Sequence, residues 1–259
     1  MPEGDSIAGN AAMLRPILVG EVVESVHATS GSVRANSGRI QGRTVTGIRT
    51  RGKNLVVDFD SGYSLWVHLG MNGRWRLLSR KSRVPGPAKV ALTTRAIHAV
   101  CLGAPKAEVG RTPAIDLALE GLGPDLLAEE VDYEEILRRI RALPEGTTLG
   151  RTLLDQTVAA GIGNVYKSEL AFLAGLLPST PVETLTDEQL LGIYGQARSL
   201  LLANIGSGAR STTGDRGRGR TTWVYNGGGL RCRRCSTQIF SGRLDGRVTF
   251  WCPSCQRSA

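Results

Sequence analysis

Residues 232–255 read CRRCSTQIFSGRLDGRVTFWCPSC, two C-x2-C pairs separated by 16 residues. Each pair can place two thiolates on one tetrahedral ion, and the run between them divides around Leu244-Asp245-Gly246 into a hairpin. The spacing predicts a structural zinc held by Cys232, Cys235, Cys252 and Cys255. Four sulfur ligands leave no coordination position for an activated water, so the ion holds a hairpin and performs no chemistry. Two redox dithiols are the competing reading of the same spacing. Arg231, Arg233, Arg234, Arg243 and Arg247 lie on or beside the hairpin, and a basic, metal-held hairpin suits a groove of DNA.

The charge of the whole chain points the same way. Over 259 residues, 32 Lys and Arg stand against 23 Asp and Glu, for a net charge of +9 and a pI near 9.8. This favours a polyanionic partner such as nucleic acid, without choosing among DNA, RNA and a membrane surface. No run approaches 18 apolar residues, and no basic segment leads into an apolar stretch at the N-terminus. Neither a membrane span nor a signal peptide is expected, and an intracellular, cytoplasmic protein is. In a reducing compartment five cysteines argue against a disulfide framework, and Cys101, alone in IHAVCLG, reads as a small buried hydrophobe.

Working back from the hairpin, residues 122–205 are helical in pattern and residues 21–102 are strand-like. EVVESVHAT, RTVTGIRT, NLVVDFD, YSLWVHLG, RWRLLS, AKVALTT and AIHAVCLG are rich in Val, Ile, Thr and aromatics, the signature of a sandwich or barrel. Asp5 and Ser6 read as N-caps for a leading helix, IAGNAAMLRPILVG. A break is expected around GAPKAEVGRTP. Helices then follow in VDYEEILRRIRAL, in TLGRTLLDQTVAAGIGNVYKSELAFLAGLL, and in TDEQLLGIYGQARSLLLANI behind a Thr186 cap. The pattern gives an α+β chain with domains at residues 1–115, 116–222 and 223–259. Residues 206–221, GSGARSTTGDRGRGRT, read as a mobile loop whose arginines could meet phosphates, or as a passive linker.

Two short stretches carry chemistry. In VAAGIGNVYKSE, Gly161 and Gly163 make a tight turn and Asn164 an N-cap, leaving a helix N-terminus able to take a phosphate. The same residues also serve where a helix hairpin merely turns. The chain opens MPEGDS, and removal of Met1 leaves Pro2 as a free secondary amine. Such an amine has a pKa of roughly 8 and is partly nucleophilic near neutral pH, with Glu3 beside it as acid or base. The plain reading is an exposed terminus ahead of a helix cap.

Taken in order, the start PEG, Arg51-Gly52-Lys53, His68-Leu69-Gly70-Met71-Asn72-Gly73, Leu122-Gly123-Pro124-Asp125, Gly161-Ile162-Gly163-Asn164-Val165-Tyr166 and the four-cysteine hairpin resemble the formamidopyrimidine-DNA glycosylase and endonuclease VIII family. The resemblance runs from Pro2 to Cys255. PEG, where the formamidopyrimidine branch usually carries PEL, makes the chain most similar to the endonuclease VIII branch, whose members prefer oxidised pyrimidines. The fold it implies is an N-terminal β-sandwich with a leading helix, then a helical domain with a helix-two-turn-helix element and a zinc-finger hairpin, with a DNA cleft between the domains.

The resemblance also implies an activity: a bifunctional glycosylase and apurinic-site lyase, working as a monomer on damaged double-stranded DNA with one structural Zn2+. By the same resemblance Pro2 attacks C1′ of a flipped nucleotide and Glu3 moves protons as the sugar opens and the base leaves. Lys53 assists elimination beside the active site, and Arg247 grips the phosphates around the flipped nucleotide. Asn164 contacts phosphate, and Met71 fills the gap left by the extruded base. A non-catalytic damaged-DNA-binding protein would keep Asn164 and Arg247 and need neither Pro2 nor Glu3; an RNA-binding zinc ribbon is a second alternative. The chain departs from the family pattern at Ser6, where many relatives carry an acid, and at Leu102–Val109, which lacks the Arg-Arg-Phe-Gly motif used to read the opposite base.

Overall fold

The computed structural model describes residues 2–217 and 219–258; Met1, Arg218 and Ala259 lie outside the described residues. The chain divides into two compact units, Met1–Gly121 and Leu122–Ala259.

The first unit begins with helix α1, Gly4–Leu18, which buries Ile7, Ala11, Leu14 and Leu18, a three-to-four-residue spacing that makes one apolar stripe. Its cap is Glu3, so Asp5 and Ser6 fall inside the first turn and do not cap it. After β1 (Ser25–His27) and a short helix α2 (Gly31–Asn36) come β2 (Val45–Arg51), β3 (Asn54–Phe59), β4 (Tyr63–His68), β5 (Arg74–Ser79), β6 (Ala88–Thr93), β7 (Ile97–Leu102) and β8 (Lys106–Arg111). They form two four-stranded sheets, ordered β1-β6-β7-β5 and β2-β3-β4-β8, every pairing antiparallel. The core joins both sheets and α1: Leu55, Val57, Phe59, Leu65 and Val67 from one, Val90, Leu92, Ala99 and Cys101 from the other. Cys101 is fully buried, and burial pushes its thiol up to about 12, so it acts as a hydrophobe as expected.

The break expected at GAPKAEVGRTP is instead strand β8, which closes the second sheet against β4. Ala107 and Val109 alternate inward, but the glycine and prolines flanking them hide a strand whose apolar side is only two residues long. Helix α3, Thr112–Glu120, completes this unit.

In the second unit α4 (Tyr133–Arg141), α5 (Leu149–Leu154), α6 (Asn164–Leu173) and α7 (Asp187–Ala203) enclose their own core. Thr186 caps α7 in a full capping box with Gln189. Val165 through Phe172 are all buried, which makes α6 the central helix of the unit. The strands β9 (Phe240–Leu244) and β10 (Arg247–Trp251) then form the expected hairpin; Asp245 and Gly246 both have positive φ, +49° and +74°, as a two-residue type I′ turn requires.

Among the described residues of 206–221, a segment expected to be a mobile loop or a linker, several are fastened. Asn204 binds Ser211 through both its amide and its carbonyl, and Arg216 donates to Ala203 O at 2.6 Å. Ser211 and Thr212 are buried.

Candidate functional site

In the first unit several functional candidates reach one end of the β2-β3-β4-β8 sheet. Helix α1 runs antiparallel to β2, with Gly20 N donating to Val45 O and Arg15 Nε to Ile48 O, each at 2.8 Å. From Arg15 back to Gly4 the helix covers about 16 Å, and from Ile48 forward to Lys53 the strand covers about as much. The helix start, with Pro2 and Glu3, therefore comes level with the turn at Gly52 and Lys53. That turn carries positive φ at Gly52 alone (+56°), the type II′ pattern, which holds Lys53 at the second position. Asn54 pairs with His68, and His68 with Lys106, so the end of β4 and the start of β8 lie there as well.

The electrostatics of this end are basic around a buried acid. Glu3 is fully buried, while Pro2 and Lys53 are half-buried. The His68 imidazole is held below its ordinary 6.5, first by burial and then by the positive charges of Lys53 and Lys106. Lys106 in turn lies over the Trp66 ring, 3.2 Å from its centroid. Sequence reasoning names His68 only within the His68–Gly73 motif and gives it no role, and its neighbourhood becomes visible only when β3, β4 and β8 are paired.

Just beyond His68 the loop Leu69–Gly73 is built to present one side chain. Leu69 is buried, and Gly73 N closes back on Leu69 O at 2.9 Å. A Cβ at Gly73 would stand 2.2 Å from that carbonyl, and one at Gly70 (φ +62°) would stand 2.7 Å from the Pro105 ring. Only glycine fits at either position. Between them Met71 is 65% exposed, an apolar side chain held out into solvent on a stiff loop.

The second unit holds the remaining candidates. Gly161, at φ +124°, makes the turn before α6, and the cap is Gly163, so Asn164 is the first helical residue and not the N-cap. Its Nδ2 donates to Val248 O of β10 at 2.9 Å. Gln156 braces the turn, donating to Leu154 O and Ile162 O and accepting from Gly161 N. Leu122-Gly123-Pro124-Asp125 supports it from beneath: Gly123 N donates to Gln156 O, Ala160 N to Pro124 O, and a Cβ at Gly123 would sit 2.3 Å from Val158 O. Gln156 carries no local sequence signal, because its partners are backbone groups brought round by the turn.

Arg247 is exposed beside the hairpin turn and lines a recess of about 420 Å³ with Arg151, Leu154, Asp155 and Asp245. Cross-strand pairing sets Arg247 opposite Leu244 and Arg243 opposite Val248, so the two arginines lean to opposite faces of the ribbon. The other three hairpin arginines are engaged within the fold. Arg231 donates to Ser236 O, Arg233 bonds to Arg220 O and pairs with Asp215, and Arg234 lies over the stacked rings of Phe172 and Trp223. All three nevertheless stay exposed, so the basic surface on and beside the hairpin persists, with Arg247 on one face of the ribbon and Arg243 on the other.

Cys232, Cys235, Cys252 and Cys255 converge, all four sulfurs lying within 4.8 Å of one another. Cys232 and Cys255 are 3.9 Å apart, and Cys235 and Cys252 3.5 Å. Tetrahedral geometry at a metal–sulfur bond of about 2.3 Å calls for sulfurs about 3.8 Å apart, whereas a disulfide calls for about 2.05 Å. The cluster therefore fits a metal ion. Thr237 donates to the Cys235 sulfur through its hydroxyl and its backbone N–H and pulls that thiol down to about 6, whereas burial pushes Cys252 and Cys255 up.

Comparison with known proteins agrees along the length of the chain. The formamidopyrimidine-DNA glycosylase N-terminal domain matches residues 1–106, and the H2TH domain of the same glycosylase matches residues 122–215. Endonuclease 8 2 of Mycobacterium bovis is 37% identical over 266 residues, covering 99% of this chain and 100% of that protein. DNA-(apurinic or apyrimidinic site) lyase Nei2 of Mycolicibacterium smegmatis is 38% identical over 263 residues, covering 100% of each. A crystal structure of Lactococcus lactis formamidopyrimidine-DNA glycosylase with DNA containing an oxidised pyrimidine has a TM-score of 0.86 at 24% identity, over 99% of this chain and 100% of that one, and shows the same fold.

Proposed function

The chain belongs to the formamidopyrimidine-DNA glycosylase and endonuclease VIII family, on the endonuclease VIII branch, and from that premise we propose that it is a bifunctional DNA glycosylase and apurinic-site lyase that excises oxidised bases, chiefly pyrimidines, from duplex DNA as a monomer. The observation that carries this reading is Glu3. It is fully buried at the start of α1, directly after Pro2. Burying a carboxylate is costly, and buried titratable groups cluster at functional sites. Its position next to an N-terminal secondary amine, level with Lys53, suits proton transfer at that amine.

The steps follow from the chemistry of the residues. With Met1 removed (a residue outside those described here), the Pro2 nitrogen attacks C1′ and the bond to the base breaks, Glu3 delivering a proton as the sugar ring opens. A secondary amine then gives an iminium with no N–H to lose, so the positive charge stays as an electron sink. Loss of a C2′ proton breaks the C3′–O bond, and a second proton loss at C4′ breaks the C5′–O bond, leaving a gap flanked by phosphates. Lys53 supplies and removes protons in these steps. Arg247 holds the phosphates, for which a planar, permanently charged fork is suited, and Asn164 adds a contact through its amide. Met71 occupies the stack where the base was. A zinc ion on the four cysteines would hold the β9–β10 hairpin in shape; with four sulfurs it takes no part in the reaction.

The test is a panel of duplexes bearing thymine glycol, dihydrouracil, 8-oxoguanine or an abasic site, resolved by product end chemistry. Pyrimidine lesions should be released fastest, with phosphate on both sides of the gap, and Glu3→Gln should slow base release more than cleavage of a preformed abasic site. Binding without strand cleavage on every substrate would instead identify a non-catalytic damage binder.

A further inference from the structure

Arg247 sits at the tip of a two-stranded ribbon, where a backbone error of an ångström would displace its guanidinium. We propose that Lys167 and Thr249 are positioning residues that set Arg247 for its phosphate, an inference that rests on the role given to Arg247 above. Strand β10 pairs with β9 along one edge. Side chains of α6 also bind it: Asn164 Nδ2 and Lys167 Nζ both donate to Val248 O, at 2.9 and 3.4 Å, and Lys167 Nζ donates to Thr249 Oγ1 at 2.6 Å. Thr249 Oγ1 then donates to Arg247 O at 3.2 Å. Thr148, at the start of α5, ties the turn itself by donating to Asp245 at 3.3 Å.

The direction of this relay is fixed by chemistry. An ammonium has donors only, so the Thr249 hydroxyl must accept from Lys167 and point its own proton elsewhere, and the Arg247 carbonyl is the acceptor in reach. With Lys167 present the hydroxyl has one orientation; without it the hydroxyl can turn and release Arg247 O. Lys167 cannot itself touch a phosphate, being 1% exposed. A cation there carries a cost, since the first turn of a helix bears the positive end of its dipole and burial of charge is unfavourable. A pre-set guanidinium, in contrast, benefits directly, because misplacement of a catalytic group lowers the rate steeply.

Thr249→Val keeps the shape and removes the hydroxyl, Thr249→Ser keeps the hydroxyl and removes the methyl, and Lys167→Met removes the donor. Each zinc-loaded variant is given duplex DNA with an abasic site, and two quantities are read: the rate of borohydride-trapped adduct, which reports the amine, and the ratio of δ- to β-elimination product, which reports Arg247. Thr249→Val and Lys167→Met should trap at wild-type rate while their δ-to-β ratio falls about threefold to tenfold, the scale of one lost hydrogen bond. Thr249→Ser should restore the ratio. A wild-type ratio in Thr249→Val, or trapping and ratio falling together, overturns the proposal. Wild-type protein that forms no adduct overturns the reading of Pro2 on which it rests.

Discussion

Replacing Glu169 by Gln tests how the segment leading to the hairpin is held. The carboxylate is fully buried in α6, and each oxygen takes two donors: Oε1 from Val224 N and Tyr225 N at 2.8 Å, Oε2 from Trp223 N at 2.7 Å and from the Thr212 hydroxyl. An amide has one oxygen, so its NH2 must face two donors whichever way it turns. The milder choice faces Thr212, whose hydroxyl can rotate and accept; the N–H of Trp223 is then orphaned. An orphaned buried N–H costs about 1–3 kcal/mol, and the bonds from Val224 and Tyr225 each weaken by about 1 kcal/mol on becoming neutral. Relief of a buried charge returns part of this. The balance is a loss of about 2–4 kcal/mol, with Thr212→Val losing less because three donors remain. Urea titration of the intact zinc-loaded chain measures the total, and hydrogen exchange at Trp223, Val224 and Tyr225 measures it locally, with Trp223 expected to accelerate most. Equal stability of Glu169→Gln and wild type, or a larger loss in Thr212→Val, would refute the reasoning.

Three further outcomes follow from the geometry. Gly73→Ala must move the Leu69 carbonyl and with it the exposed Met71, so base excision should fall at least about tenfold while trapping on a preformed abasic site changes less; single-turnover rates on the two substrates separate them. Because the His68 pKa is lowered from 6.5 in the folded state, the unfolded chain binds a proton that the native one refuses. The stability from this group is present in full above pH 6.5 and is lost as pH falls towards the lowered value, and His68→Gln should flatten that slope in urea midpoints taken across the window. Chelation of the metal, or Cys252→Ser, should weaken binding to damaged duplex and raise proteolytic cleavage within residues 232–255, while leaving the Pro2 chemistry intact at saturating DNA.

Much of the fold was legible because it rests on local signals. Alternation identified the strands of the first unit, Thr186 and Gln189 announced α7, and Asp245-Gly246 between two cysteine pairs gave the hairpin with its turn. Strand β8 was not legible, because its pairing with β4, more than its two inward residues, defines it. The candidate site divides similarly. Pro2, Glu3, Lys53, Met71, Asn164, Arg247 and the cysteines stood out by type and order. Lys167, Glu169, Thr249 and Gln156 did not, since a buried polar residue in a helix is read by its partners, and those partners lie up to 82 residues away. The partners of the hairpin arginines were hidden for the same reason: Arg231, Arg233 and Arg234 touch carbonyls, a carboxylate and aromatic rings that no spacing rule reveals.

The identity of the nucleophile is the most direct test. Protein reacted with abasic-site DNA in borohydride, digested with protease and nuclease, should give one sugar-modified peptide, beginning at Pro2 and carrying the adduct on its imino nitrogen, and Pro2→Gly should sharply reduce its yield. Modification of Lys53 or another side chain in its place, or full activity in protein whose N-terminal peptide still begins with Met1, would contradict the account.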